Sequence, residues 1–213
     1  MEIVINVLLS IVSLTIALVA IFQTKKQIAL SNKQLLFDRR LEKYIIIKDL
    51  LSLFANNRKH IVNKENLAKC LDFQFSQLIN VSYLSDMIFA IKEPLNSDKQ
   101  NIFLTKCEML EKYAVEISLL WDNDTGKIFG KFIKTYKEVL FKLYLQQTYI
   151  DGLKKHNEEQ NEILKIDLDS YEKKTLEYAK EIELFETILK LDNIYNRIIS
   201  EQLERKLIDD LKL

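Results

Sequence analysis

The sequence predicts an all-α protein in which one N-terminal transmembrane helix continues into a cytoplasmic helical bundle. The 213 residues include three Gly and one Pro, and neither type occurs before Pro94. Turn residues that a sheet protein needs are therefore scarce. Residues 3–22 carry no charge, and fourteen of these twenty are Ile, Val, Leu or Phe. Beyond them, apolar residues recur at helical spacings of three and four.

The first element is the apolar stretch 3–22. As a helix it would cover about 30 Å, the thickness of a bilayer's hydrocarbon core, and its insertion would be favourable by about 5 kcal/mol. A buried core helix is usually shorter and has a polar face. A cleaved signal peptide needs a basic start and small residues before the cleavage site, whereas this chain starts with Glu2 and has Leu18 three residues before a cut after Ala20. We therefore expect a membrane span.

Several basic residues follow this stretch, whereas the charges before it are only the amino terminus and Glu2. Because positive charge stays on the cytoplasmic side, we expect a single-pass protein of the bacterial inner membrane with its N-terminus outside and its C-terminal part in the cytoplasm. Basic side chains near the surface gain about 1 kcal/mol each from anionic lipid headgroups. The residues predicted to make this contact are Lys25, Lys26, Lys33, Arg39 and Arg40.

Small and weakly polar residues line one face of the predicted span. They alternate at spacings of four and three, and we call them the polar stripe: Asn6, Ser10, Ser13, Ala17, Ala20, Thr24 and Gln27. In lipid, such a face lets helices approach closely and hydrogen-bond to each other. The stripe predicts a homo-oligomer. The alternative is chance, because small residues are common in spanning helices.

The remaining elements follow in order. We expect three parts: a transmembrane helix at 1–24, a juxtamembrane helix at 25–60, and a bundle of about four or five helices counted over 61–213. The juxtamembrane apolar face is predicted as Leu36, Phe37, Leu41, Tyr44, Ile45, Leu51 and Phe54.

Within the bundle we predict helices at 66–92, 98–121 and 126–160, and a last one from 167–169 to about 210. Pro94 ends the first of these, Asn96 caps the next, and Asp151-Gly152 is a turn signal that could end the third early.

No set of residues predicts a catalytic or metal site. Asp122-x-Asp124-x-Gly126 resembles the start of a calcium loop, but the Gly comes one position early and Ile133 stands where a Glu is required. A capped turn is the better interpretation. His60 and His156 have no ligand partners at helical spacing, and phosphate-loop and nucleophile motifs are absent. We expect no enzyme activity, metal or cofactor, and we interpret Cys70 and Cys107 as reduced core residues.

Residues 125–155 combine lysines with aromatic residues. This pattern suits the solvated face of a packed helix, a membrane surface, or nucleic acid bound by charge and stacking. The packed helix is the simplest of the three interpretations, so nucleic acid is not an expected partner. The expected partners are the lipid bilayer, a second copy of the chain and a soluble protein.

The segment Gln34–Tyr44, QLLFDRRLEKY, resembles a juxtamembrane LFDRRxExY helix of uncharacterised bacterial single-pass membrane proteins with a helical cytoplasmic part. Phe73-Gln74-Phe75-Ser76 with Tyr83-Leu84 is similar to their second helix. The resemblance covers residues 1–90 and implies the same architecture. Members of this general build occur among mobile-element and phage-defence genes, which implies a setting but no activity.

Two functions fit this sequence. The first is a non-catalytic oligomeric membrane module that acts as a sensor or membrane-perturbing effector, with phage defence as one setting. The alternative is a membrane-anchored scaffold that recruits a soluble cytoplasmic partner. An effector needs the polar stripe, whereas a scaffold needs only a span of the right length.

Overall fold

The computed structural model describes residues 1–62, 71–94, 96–121, 123–159 and 168–211. Over these ranges the chain is helical and has no strand, which confirms the predicted fold class. Eight α-helices lie in them: α1 (Glu2–Ile61), α2 (Leu71–Leu78), α3 (Ile88–Lys92), α4 (Ser97–Leu120), α5 (Asp124–Glu159), α6 (Leu168–Glu181), α7 (Leu184–Ser200) and α8 (Leu203–Leu211). A 3-10 turn, Ser85–Met87, leads into α3.

Helix α1 runs for 60 residues without a break and joins the predicted transmembrane and juxtamembrane parts. The side chains of residues 5–35 are all exposed. The most apolar window of α1 has a mean hydropathy of 2.6 and no buried residue, so among the described residues α1 is the helix long and apolar enough to cross a membrane. It is a candidate membrane span. Farther along, Ile47, Leu50 and Phe54 are fully buried.

The predicted apolar face of the juxtamembrane part is only partly right. Leu51 and Phe54 are buried and Tyr44 is half-buried, but Phe37, Leu41 and Ile45 remain exposed. The run Tyr44–Ile47 offers apolar side chains on every side of the helix, so its spacing could not identify the buried face. The bundle covers Ile46 and Ile47 instead.

Helix α5 forms the centre of the bundle, between α4 and α7. Its apolar side chains Phe129, Phe132, Ile133 and Leu140 are completely buried. Two of its tyrosine hydroxyls donate hydrogen bonds to backbone carbonyls: Tyr136 to Leu78 O at 2.6 Å, and Tyr144 to Pro94 O at 2.8 Å. These bonds fix the segment that contains α2 and α3 onto α5.

The helix predicted at 66–92 is wrong as a single element. Its residues 66–70 lie outside the described ranges, and α2 ends at Leu78. A turn follows, in which Val81 N–H donates to Ile79 O at 2.7 Å. Asn80, Val81 and Ser82 are weak helix formers, which explains the break.

The last predicted helix is also interrupted, and it forms α6, α7 and α8. The two breaks contain Glu183 with φ 53° and Gln202 with φ 50°, both in the left-handed region. In contrast, α5 continues through Asp151-Gly152 to Glu159, as the longer of the two predictions had it. The described chain thus has more and shorter helices than predicted.

Candidate functional site in helix α1

The polar stripe is exposed over its whole length. Two of its three hydroxyls are bonded within the helix: Ser10 Oγ donates to Asn6 O at 2.9 Å, and Thr24 Oγ1 donates to Ala20 O at 2.8 Å. These bonds satisfy the donors of Ser10 and Thr24, while their oxygens keep lone pairs for a neighbour. Ser10 and Asn6 also line a shallow groove with Val7 and Leu14. The stripe therefore offers a small, weakly polar surface for close approach.

The basic residues divide into two groups by their position along α1. Lys25, Lys26, Lys33 and Arg39 are exposed. With residues 3–22 in the hydrocarbon core, Lys25 and Lys26 lie about 5 Å beyond it, within the headgroup layer. Lys33 lies about 16 Å and Arg39 about 25 Å beyond it, so direct headgroup contact fits the first two only.

The guanidinium of Arg40, which was also predicted to contact lipid, joins α1 to the bundle. Its Nε and Nη2 donate to Leu120 O at 3.1 and 2.9 Å, and its Nη1 donates to Asp210 O at 3.0 Å. The same group lies 5.8 Å from the ring centroid of buried Trp121. Leu120 ends α4, and a carbonyl there has no partner within its own helix. Arg40 thus holds three elements together.

Lys43, three residues farther along α1, is buried between carboxylates. Its Nζ lies 2.8 Å from Glu116 Oε2 and 3.0 Å from Glu42 Oε1, and 4.0 Å from the ring centroid of Tyr113. Burial disfavours the charge, but the hydrogen bonds with Glu116 and Glu42 outweigh it and raise the pKa of Lys43. The hydrogen bond from Lys43 lowers the pKa of Glu116. Both groups are charged at neutral pH.

Two further contacts attach α1 to the C-terminal helices. The Tyr44 hydroxyl donates to Glu204 Oε1 at 3.0 Å, and burial with this bond raises the pKa of Tyr44 to about 12. Arg58 pairs with Asp192 through two bonds, one of them Nη2 to Oδ2 at 2.9 Å. The Arg58 guanidinium also lies 5.4 Å from the ring centroid of Tyr195.

Sequence reasoning did not find these attachments. Asp192 interrupts the apolar spacing of α7, and that interruption was the available signal for a polar contact at this place. A single sequence cannot name the partner, because Arg58 lies 134 positions away.

The chain was compared with models of protein families, with curated proteins and with solved structures. None of the three comparisons finds a match. The resemblance of Gln34–Tyr44 accordingly stays a prediction.

The structure also bears on the calcium-loop-like turn, the possible metal ligands and the two cysteines. Asp122 lies outside the described residues, and Gly126 N–H donates to Asn123 Oδ1 at 2.8 Å, as in a capped turn. Within the described ranges no three His, Cys, Asp or Glu side chains are grouped as metal ligands. Cys107 is buried as predicted, and burial raises its pKa to about 12. Cys70 lies outside the described residues.

The lysines of α5 belong to a packed helix. Lys134 and Lys137 have their Nζ atoms 3.7 and 2.5 Å from Glu111 carboxylate oxygens. Lys142 Nζ donates to Thr187 Oγ1 at 2.8 Å. Of the aromatic rings in this stretch, Phe129, Phe132 and Tyr136 are buried and Phe141 is 37% exposed, so these four residues give no row of exposed rings on which successive bases could stack.

Proposed function

We propose that this protein is a non-catalytic, homo-oligomeric module of the bacterial cytoplasmic membrane that acts as a sensor or membrane-perturbing effector. The N-terminus faces outward, residues 3–22 span the bilayer, and the helical bundle lies in the cytoplasm. The resemblance of Gln34–Tyr44 to proteins found among phage-defence genes suggests that setting.

One observation carries the proposal: α1 is a single helix of 60 residues in which residues 5–35 are exposed and the part from Arg40 onward packs against the bundle. A passive anchor needs only a flexible tether, because no movement has to pass along it. A continuous helix instead transmits rotation and displacement between its ends. The Arg40, Lys43 and Arg58 contacts bind the cytoplasmic half of α1 to α4, α7 and α8.

Charge supports the orientation. Lys25 and Lys26 follow the apolar stretch at once and are exposed. Positive charge next to a span favours the cytoplasmic side, and the anionic lipids of that leaflet attract it. The polar stripe supports assembly, because its small residues allow backbones to come close in lipid.

The test is induced expression in bacteria with a membrane-potential dye. We expect the wild-type chain to depolarise cells and the variant Ser10→Leu with Ser13→Leu to lose this effect, since two Leu side chains block close approach at the stripe. Thr15→Leu is the matched control: Thr15 is also exposed and polar, but it lies outside the stripe. Full depolarisation by the double variant would contradict the proposal.

The alternative is a scaffold that recruits a soluble partner, and a groove in the bundle favours it. The groove lies between α4 and α5, measures about 370 Å³, and has Leu104, Cys107 and Phe141 on its floor with charged residues around them. A scaffold would keep its function when an unrelated apolar span of equal length replaced residues 3–22. It would lose the partner when Leu104→Glu altered the groove.

A further inference from the structure

One face of α1 stays uncovered on the cytoplasmic side, although it carries large apolar residues. We call it the seam: Leu30, Gln34, Phe37 and Leu41, at spacings of four, three and four. Leu30 is 57% exposed, Phe37 37% and Leu41 38%. The bundle contacts the set Arg40, Lys43, Ile47, Leu50 and Phe54, which lies about 100° around the helix axis from the seam.

The part of α1 between the span and the bundle has no packing partner among the described residues. We call residues 23–35 the stalk; every side chain in it is exposed. Thirteen helical residues cover about 20 Å, and an isolated helix of that length is only marginally stable in water. Packing of an apolar face against another helix is what normally stabilises such a segment.

One of the two columns of the polar stripe continues into the seam. Counting in sevens from Asn6 gives Ser13, Ala20, Gln27, Gln34 and Leu41. Asn6, Ser13, Ala20 and Gln27 belong to the stripe, and Gln34 and Leu41 belong to the seam. A strict seven-residue repeat keeps one face of a helix towards one neighbour in a left-handed supercoil. A helix packed along the stripe therefore stays in contact with the shared column at Gln34 and Leu41, while the second column changes from Thr24 in the stripe to Leu30 and Phe37 in the seam.

The charges beside the seam match a parallel copy of the same helix. Lys33 and Asp38 flank the seam on its two sides and are five residues apart, the spacing at which side chains meet across a parallel coiled coil. Both are exposed, and neither makes an ion pair within the described chain. A common membrane orientation makes two copies parallel.

We propose that a second copy of the chain docks in parallel on the seam, with Lys33 of each copy paired with Asp38 of the other. This inference rests on the proposed oligomer and extends its interface from the bilayer into the cytoplasm. The pairing ends after Leu41, because the next seam position is Tyr44, whose hydroxyl is bonded to Glu204 of α8. Beyond that point the two helices diverge, each into its own bundle.

Disulfide cross-linking of the full chain in oxidised bacterial membrane vesicles tests the geometry. We expect Leu41→Cys to form a covalent dimer several-fold more efficiently than Glu42→Cys, because only the seam position brings the two β-carbons close enough for a disulfide. The unsubstituted chain, which keeps Cys70 and Cys107, gives the background. Equal cross-linking at positions 41 and 42 would overturn the inference.

A charge swap tests the pairing itself. In the Leu41→Cys background, Lys33→Glu alone and Asp38→Lys alone should each lower cross-linking several-fold, since each places like charges opposite each other. The two changes together should restore it. Arg39→Glu makes the same charge change on an exposed position off the seam and should leave cross-linking unchanged. Failure of the double variant to recover would refute the Lys33–Asp38 pair.

Cross-linking within the span distinguishes the proposed homo-oligomer from docking on the seam. If Ser13→Cys cross-links and Leu41→Cys does not, the copies meet in the bilayer only: the oligomer stands and the seam inference fails. If neither position cross-links, the oligomer and the seam are both rejected.

Discussion

The ion pair between buried Lys43 and half-buried Glu116 shows how single residues hold α1 to the bundle. Lys43 is 8% exposed, and its partners are Glu116 on α4 and its own neighbour Glu42. A charge so buried is stable only while its partners are ionised. The strength of the attachment therefore depends on pH.

Glu116→Gln is expected to destabilise the protein by about 2 kcal/mol at pH 7. Because folding lowers the pKa of Glu116, its contribution is complete above the unfolded value of 4.5 and is lost as the pH falls through the folded value. Thermal unfolding followed by circular dichroism from pH 7 to pH 3 should show the two proteins converge below about pH 4.5. Glu108→Gln, exposed on the same helix, is the control, and a gap independent of pH would contradict the prediction.

Glu183 stores strain between α6 and α7, since its φ is 53° and it is not a glycine. We expect Glu183→Gly to stabilise the protein by about 1 kcal/mol, because glycine adopts this conformation without a steric cost. The Thr187 N–H and Lys142 bonds to the Glu183 carbonyl survive the change. Glu186→Gly, inside α7, should cost about 1 kcal/mol in the same unfolding measurement. Equal effects of the two changes would argue against strain.

At the scale of elements, the contact between α4 and α5 depends on the absence of a side chain at Gly130. A β-carbon there would lie 2.6 Å from Ala114 O and would also clash with Ser118 Oγ. The Ser118 hydroxyl donates to the same carbonyl at 2.9 Å, so the two helices approach through backbone and a short side chain. Gly152 on the same helix has no neighbouring atom within 4 Å of such a β-carbon.

These two glycines give a matched pair of variants. Gly130→Ala should destabilise the protein by about 1–3 kcal/mol, because α4 must move away. Gly152→Ala should stabilise it by about 0.5–1 kcal/mol, because alanine favours the helix and open space receives the methyl group. Chemical unfolding of both variants measures the difference, and a stabilising Gly130→Ala would show that the helices are not in close contact.

The sequence predicted the elements whose signals are local. Helices α4 and α5 follow from the Asn96 cap and from apolar spacing, and their bounds agree within a few residues. The breaks in the last helix had no Gly or Pro to mark them. One local signal existed: the buried residues Ile198 and Leu203 are five apart, which a continuous helical face does not allow.

The candidate site also has a part that the sequence could predict and a part that it could not. The polar stripe was predictable because every contact that it makes is within one helix. The Arg40 and Arg58 attachments join residues 80 and 134 positions apart, and no pattern within a helix encodes such pairs. The exposure of Phe37 and Leu41 depends on which face the bundle covers, so it too required the structure.

At the scale of the whole molecule, the stalk sets the rotation of the bundle relative to the span. Two alanines inserted after Asn32 would turn the bundle by about 200°, whereas seven would return it to within about 20° of its original direction. Under the proposed effector function, we expect the seven-residue insertion to depolarise cells like the unaltered chain and the two-residue insertion not to. Activity in both variants would indicate that α1 is only a tether.

The contacts from Arg40 to Arg58 also decide how the molecule responds to force. They are spread over eighteen residues, about 27 Å of helix, and a pull along the axis of α1 loads all of them together in shear. A sideways bend loads only the first, at Arg40. In the proposed membrane-spanning arrangement, tension in the membrane would therefore reach α4, α7 and α8 through contacts that resist pulling. Lateral forces would bend the stalk, where no such contact exists among the described residues.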